Sequence, residues 1–318
     1  MVRFKKSVKV AFVGAGNMAR EHICAFADIR EVELAGIHSR TRSRAEALAF
    51  EYKIPLVCDS IEELYLKTQA DLVVITVFEL AMNPVSLACF EFPWVVFMEK
   101  PPGYNLEDAE SIAADAKKKD RKVYVALNRR FLHATQHVKA DLESIEGPRY
   151  IRVQDQEDQT AALVAGQPEL VVDNWMYANS IHVIDYFLIF GRGKVTNITP
   201  IIPWNPTKPD IVVSYIEFES GDRGIYEGIW NGPGPWATII ATPDKRWEIR
   251  PLETAVSQLR GERRLQAIEP HPWDQAFKPG FRLQVQEAVA AALGQPTNLP
   301  SLDEAIETMK MIQKIFES

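Results

Sequence analysis

The stretch Val8-Lys9-Val10-Ala11-Phe12-Val13-Gly14-Ala15-Gly16-Asn17-Met18-Ala19 decides how this chain folds. Val8–Val13 is a short β-branched apolar run, and Gly14, Gly16 and Ala19 follow it in the spacing G-x-G-x-x-G/A. Each small residue has its own physical use. Gly14 permits a tight turn, Gly16 lets backbone approach a pyrophosphate, and Ala19 lets a helix pack closely on the strand. The helix that follows would turn its unpaired N–H groups and the positive end of its dipole toward the phosphates. Gly14, Gly16, Asn17 and Met18 are therefore candidate dinucleotide-binding residues.

Outward from this stretch, short apolar runs alternate with longer helical ones. Ala19–Ala27, Ser43–Tyr52, a segment from Ile61, Val85–Phe90 and Glu107–Lys119 read as helices. Val32–His38, Leu56–Cys58, Leu72–Val77, Trp94–Met98 and Lys122–Leu127 read as strands. This alternation is that of βαβ units on a parallel sheet, and runs such as Val95-Val96-Phe97-Met98 are apolar throughout, as strands covered on both faces are. The rhythm changes after Asn128. Tyr150–Gln154, Ile211–Phe218, Arg223–Trp230, Trp236–Ala241 and Arg246–Arg250 read as strands, most of them set off by Gly, Pro and Asp turns. A polar stretch runs to Pro168, and Val138–Ser144, Asn179–Phe190, Gln284–Leu293 and Leu302–Phe316 read as helices. The expected fold class is α/β: a Rossmann doubly wound parallel sheet over residues 1–128, then an α+β domain with a mostly antiparallel sheet over 129–318.

Composition agrees with two ordinary globular cores. The 318 residues are 47% hydrophobic and 25% charged, enough for two domains at roughly 100–200 residues each. Thirty-six basic against 43 acidic residues leave a formal charge of −7, with only the short basic runs Lys117–Lys119 and Arg40–Arg44, which disfavours nucleic acid as a partner. Cys24, Cys58 and Cys89 are odd in number and form no C-x-x-C pair, so neither a disulfide framework nor a cysteine zinc site is indicated. Lys5–Lys6 lead directly into the first strand, and no apolar run approaches the roughly 18 residues of a membrane span. A cytoplasmic protein without a membrane partner is expected.

Four further features carry chemistry. The position about 20 residues beyond the glycine turn normally holds an acid when the ribose 2′-hydroxyl of NAD is bound. Here it is Ser39, followed by Arg40, Arg42 and Arg44, so a hydroxyl and guanidinium groups are available to a 2′-phosphate. NADP is favoured over NAD, with Ser39, Arg40 and Arg44 as contacts. Glu99-Lys100-Pro101 closes an apolar strand at the end where open α/β sheets bind ligands, and a partly desolvated lysine there can share a proton with a substrate oxygen. Asn128 and Arg129 follow the last strand of the parallel sheet, in reach of the same cleft. His133 and His137 are spaced i,i+4, but no H-E-x-x-H motif or third ligand accompanies them, so no metal is expected. Trp175, Trp204, Trp230, Trp236 and Trp273 fall in the second domain, where core packing is the expected role for most.

These residues resemble the glucose-fructose oxidoreductase/inositol dehydrogenase (Gfo/Idh/MocA) family over nearly the whole chain. The resemblance rests on Gly14–Ala19 with His22, on Ala70-Asp71-Leu72-Val73-Val74-Ile75-Thr76, on Glu99-Lys100-Pro101, on Asn128-Arg129-Arg130-Phe131 and on His182-Val183-Ile184-Asp185. It implies NAD(P)-dependent hydride transfer at a secondary alcohol or keto carbon of a sugar or nucleotide-sugar. It also implies an open second sheet used for homo-oligomerisation, as a dimer or tetramer. Pro102-Gly103 resembles members found in polysaccharide biosynthesis. By the same resemblance Lys100 is catalytic, Glu99 lies beside the nicotinamide ribose, Thr76 contacts cofactor, and His182 exchanges the proton. Two departures stand out. The family aspartate four residues before the histidine is Ala178 here, and the usual Pro-Asn and His after Thr76 are replaced by Val77, Phe78 and Ala81. On a helix over Asn179–Phe190, Asn179 and Asp185 both lie near the His182 face, so either can orient the imidazole, and Asp185 joins the catalytic candidates. Two alternatives remain open at this point: a cofactor-binding regulator without catalysis, or an enzyme whose tightly held cofactor gives no net redox change.

Overall fold

The structure, a computed structural model, describes residues 7–317, so Lys5–Lys6 lie outside the described residues. The chain forms two units, and the break after Asn128 separates them. The first unit starts with β1 (Val8–Val13), α1 (Asn17–Ala27), β2 (Val32–His38), α2 (Arg42–Tyr52), β3 (Val57–Cys58), α3 (Ile61–Thr68) and β4 (Leu72–Ile75). It continues with α4 (Glu79–Phe90), β5 (Val95–Glu99), α5 (Leu106–Lys118) and β6 (Val123–Ala126). The six strands are parallel in the order β3-β2-β1-β4-β5-β6. Winding therefore reverses between β1 and β4, which opens a crevice at their carboxyl ends. All of β4 is buried, as its uninterrupted apolar sequence requires. Local chemistry sets the helix starts: Ser60 accepts from the Glu63 amide at 3.0 Å and Asn105 from the Asp108 amide at 2.9 Å. α4 begins six residues earlier than the sequence suggests. Pro84, which removes an N–H and reads as a barrier, sits inside the helix.

The second unit begins with a 3₁₀ turn whose Arg129–Phe131 lie in it, and α6 (His133–Glu143) follows. Then come β7 (Tyr150–Glu157), α7 (Gln159–Val164), α8 (Glu169–Asp173), a π-helical turn (Met176–Ser180), α9 (Ile181–Ile184) and α10 (Tyr186–Phe190). The remaining strands are β8 (Val195–Ile202), β9 (Ile211–Phe218), β10 (Arg223–Trp230), β11 (Ala237–Ala241), β12 (Lys245–Ile249), β13 (Ala255–Leu259) and β14 (Gln266–Ile268), before α11 (Pro272–Ala276). Eight strands run in the order β14-β13-β12-β11-β7-β10-β9-β8, antiparallel except for the parallel pair β7 and β10. Period-2 burial is strict on β7, β9 and β10, so one face is core and the other half-exposed. The polar stretch before Pro168 contains α7, capped by Asp158 accepting from the Ala161 amide at 2.8 Å. The single helix expected over Asn179–Phe190 is broken into the π-helical turn, α9 and α10.

The second unit does not run unbroken to residue 318. Residues 276–306, with α12 (Phe281–Ala292) and the start of α13 (Leu302–Phe316), belong to the first unit, and 307–318 return to the second. Phe281, Val285, Ala288 and Val289 form the buried stripe of α12. Its neighbour is α1, where the Phe281 ring lies 4.7 Å from His22 and Arg282 donates to Asp28 at 2.6 Å. An amphipathic stripe says that a helix has a partner but not which sheet supplies it.

Asp222, in the turn between β9 and β10, is fully buried. Its oxygens accept from the Arg149 amide at 2.9 Å and from Arg192 through its amide, Nε and Nη2. Burial alone would raise its pKa, but the Arg192 bonds and the Arg149 amide outweigh that and hold the carboxyl below its ordinary range. A lowered folded pKa adds stability above the unfolded value, about 3.9, which is lost as pH falls through the folded value. Asp222→Asn is expected to cost about 2–4 kcal/mol in urea unfolding at neutral pH. It should also flatten the fall in stability that the wild type shows below about pH 4.

Candidate active site

Gly14 ends β1 with φ +109°, and a Cβ on it would lie 2.4 Å from the Thr76 carbonyl oxygen. No other residue fits this turn, because both the backbone angle and the approach exclude a side chain. Gly16 is different. Its φ is −90°, and a Cβ there would meet nothing within 4 Å, so the space above it is open. α1 starts at Asn17 with no side-chain cap and no acidic residue in its first turn, which leaves the opening N–H groups to a ligand. Asn17 is exposed and Met18 half-buried. An uncapped helix start beside a glycine with open space is the donor set a dinucleotide pyrophosphate needs, so these residues fit that group.

Thr76 backs the turn: its amide donates to the Val13 carbonyl at 2.8 Å and its hydroxyl to the same oxygen at 3.3 Å. At the end of β5, Glu99 is buried and its Oε1 meets His22 Nε2 at 2.7 Å, while Oε2 accepts from the Lys100 amide at 3.2 Å. The His22 ring also packs edge-on against Phe97, with centroids 5.4 Å apart. His22 thus fixes the glutamate from α1. Lys100 is half-buried at the carboxyl end of the sheet. Beyond β2, Ser39 Oγ accepts from the Thr41 amide at 3.3 Å. Arg42 is tied to Glu46 and Asp59, whereas Arg40 and Arg44 are exposed. Phe78, at the start of α4, is 45% exposed.

Asn128, expected to contact cofactor, has a partner within the first unit as well. It is buried, and its side-chain amide donates to the Pro279 carbonyl at 3.0 Å, so it pins the returning C-terminal segment.

In the second unit, His182 sits on α9, mostly buried, with its ring 6.1 Å from that of Trp236. Arg129 lies over Trp236 at 5.8 Å and pairs with Glu253 at 2.7 Å. Both expected orienters of the imidazole have further partners of their own. The Asp185 carboxylate holds Arg130 through two bonds of 2.7 Å and accepts from the Thr308 hydroxyl at 2.8 Å, at 1% exposure. Asp185 is therefore an anchor for Arg130 and α13. Asn179 donates instead to Glu157 at 2.9 Å. His133 stands among His137 and His271, with ring centroids 6.0 and 5.7 Å away, and burial followed by these neighbours lowers its pKa. Among the described residues no group of three or more His, Cys, Asp or Glu is arranged to hold a metal ion. The buried Trp230 packs with the half-buried Trp204 and with Phe316, and Trp175, Trp236 and Trp273 are half-buried as well.

Sequence reasoning did not single out Asp155 and Glu157. Both occupy the buried face of β7 in line with Ile151 and Val153. Extending the strand's period-2 pattern by three residues would have placed two acids among apolar neighbours.

The family Gfo/Idh/MocA, described as an oxidoreductase family with an NAD-binding Rossmann fold, matches residues 8–127. Residues 8–127 belong to that family. The Gfo/Idh/MocA match covers the glycine turn, Thr76, Glu99 and Lys100. The chain is also similar to the 4-carboxy-2-hydroxymuconate-6-semialdehyde dehydrogenase of Sphingobium sp. (strain NBRC 103272 / SYK-6). Identity is 21% over 244 residues, 73% of this chain and 75% of that relative. Among solved structures, UDP-N-acetylglucosamine 3-dehydrogenase of Acidithiobacillus ferrooxidans superposes with TM-score 0.77 at 16% identity, covering 96% of each chain. Levoglucosan dehydrogenase in complex with NADH and L-sorbose gives TM-score 0.82 at 16% identity, covering 98% of this chain and 96% of that one. These likenesses extend the shared fold across both units. No helix among the described residues is long and apolar enough to cross a membrane.

The two glycines separate fold from binding. Gly14→Ala is expected to lose at least about 2 kcal/mol of stability in chemical denaturation, from strain and the Thr76 clash. Gly16→Ala should stay within about 1 kcal/mol of wild type. It should nevertheless bind NADH about tenfold or more weakly in a fluorescence titration, because its methyl enters the space the pyrophosphate needs.

Proposed function

We propose that the protein is an NAD(P)-dependent oxidoreductase acting at a secondary alcohol or keto carbon of a sugar or nucleotide-sugar. One observation carries this: the open, uncapped start of α1 and the half-buried Lys100 stand at the same end of one parallel sheet, two strands apart. Ligands of such sheets bind at that end, beside the point where winding reverses. Further support comes from fold relatives that act on sugars, UDP-N-acetylglucosamine 3-dehydrogenase and levoglucosan dehydrogenase.

Gly14, Gly16, Asn17 and Met18 would hold the pyrophosphate, and Thr76 and Glu99 would face the nicotinamide side. The nicotinamide supplies the hydride acceptor or donor when bound. Lys100 Nζ would hold the substrate oxygen by hydrogen bond and polarise it. Glu99 keeps its place through His22 and the Lys100 amide. For the choice of cofactor, Ser39 with the exposed Arg40 and Arg44 favours NADP.

Titration with NADH and NADPH, followed by tryptophan fluorescence, tests the cofactor assignment. NADPH is expected to bind at least about tenfold tighter, near 1.4 kcal/mol, and Arg40→Ala should erase most of that margin. Protein that binds neither, and whose denatured extract is cofactor-free, would overturn the assignment. With UDP-N-acetylglucosamine and levoglucosan as probe substrates, Lys100→Ala should lose about 100-fold or more in kcat with cofactor affinity kept. Wild-type turnover in that variant removes Lys100 from the chemistry.

A further inference from the structure

Asp155 and Glu157 are the two acids on the core face of β7, at 1% and 2% exposure. Their four carboxyl oxygens divide evenly. Asp155 Oδ2 accepts from the Tyr226 hydroxyl at 2.7 Å, and Glu157 Oε2 accepts from Trp175 Nε1 at 2.6 Å and Asn179 Nδ2 at 2.9 Å. Asp155 Oδ1 and Glu157 Oε1 are buried and lack a well-formed protein hydrogen bond, although the Ser180 hydroxyl and the Gln156 amide stand near Asp155. The two side chains lie within hydrogen-bonding reach of each other. Adjacent buried carboxylates cannot both stay ionised, and one hydrogen between them satisfies both open oxygens at once.

The side chains held by Glu157 are the half-buried Trp175 and Asn179, which flank the start and end of the π-helical turn that leads into α9 and His182. An indole face stacks on sugar C–H groups, and an amide with one donor already committed still offers its carbonyl oxygen to a hydroxyl. Single π-helical turns inside helices recur at functional sites.

We propose that Asp155 and Glu157 share one hydrogen between Oδ1 and Oε1 and serve as positioning residues, fixing Trp175 and Asn179 as a sugar-binding surface of the second unit. The sugar-binding part rests on the oxidoreductase function proposed above; the shared hydrogen does not. Groups facing the pair are Tyr226 from β10 and Ser180, Asn179 and Trp175 from the turn and its flank. Burial and then the Asp155 charge push Glu157 up to about 10, and burial, followed by Asp155, puts Tyr226 well above its ordinary value. Glu157 therefore keeps its proton in the folded state where the unfolded chain has released it. Wild-type stability accordingly falls as pH rises from the ordinary value of 4.5 to about 10.

The decisive variant is Glu157→Gln, whose amide copies the protonated acid and can donate to Asp155 Oδ1. Infrared difference spectra of the full wild-type chain against this variant should show a protonated-carboxyl C=O band at neutral pH, which disappears as pH passes about 10. Glu157→Gln should keep the wild-type Tm at neutral pH, keep the Trp175 indole N–H resonance, assigned with Trp175→Phe, and lose the alkaline slope in stability. Glu157→Ala should shift that resonance. On whichever of levoglucosan and UDP-N-acetylglucosamine turns over, Glu157→Ala should raise KM about tenfold or more, and Glu157→Gln should hold it within about threefold. Absence of the protonated band, or a Gln variant destabilised as much as the Ala variant, overturns the shared hydrogen. An unchanged KM in Glu157→Ala, in protein that binds cofactor and turns over sugar, overturns the sugar-binding role alone. Failure of cofactor binding would count against the oxidoreductase function and leave the spectra to decide the pair.

Discussion

The first unit depends on the closeness of two strand ends. β1 and β4 run side by side, and the chain leaves β1 through a residue whose missing Cβ lets the Thr76 carbonyl come within a distance no side chain allows. Because the turn is that tight, α1 starts immediately and points its unpaired amides over the crevice between the two strands. Thr76 reinforces the arrangement by donating twice to the Val13 carbonyl. The binding surface is thus a by-product of how closely two neighbouring parallel strands can end.

Buried polar contacts then hold what the turn creates. His22 grips Glu99, Asn128 grips the Pro279 carbonyl, and Asp185 grips Arg130 and Thr308. Each is a polar group removed from water, and losing one partner of such a contact costs more than the contact itself contributes. Residues with the chemistry of catalysts can thus also serve as braces. A carboxylate with every oxygen engaged has little capacity left for proton traffic, and the same chemistry that makes Asp185 attractive as a base makes it effective as a fixed anchor for a guanidinium.

Much of this was legible in the sequence because it is local. The alternation of apolar runs and helices from Val8 to Leu127, the glycine turn, and the change of rhythm at Asn128 each depend on neighbours a few residues apart, and each matches an element of the structure. β8 was not readable, since Thr196, Asn197 and Pro200 give it no alternating pattern and it pairs on one side alone, at the sheet edge. The partners of Asn179, Asp185 and Asn128 were hidden for another reason. They lie 22, 55 and 151 residues away, and nothing in the spacing of a side chain announces a donor or acceptor so distant. Glu157 was missed because its strand was ended three residues early, and a buried acid read as part of a polar loop attracts no notice.

The discontinuity of the first unit has a consequence for how the protein is made. Residues 276–306 complete that unit, so during synthesis its parallel sheet emerges first while α1 still lacks the helix that covers it. All of residues 129–275 must be translated before Phe281 reaches His22. The nascent chain therefore carries an exposed apolar strip through most of its time on the ribosome, the period in which uncovered surface invites aggregation or chaperones.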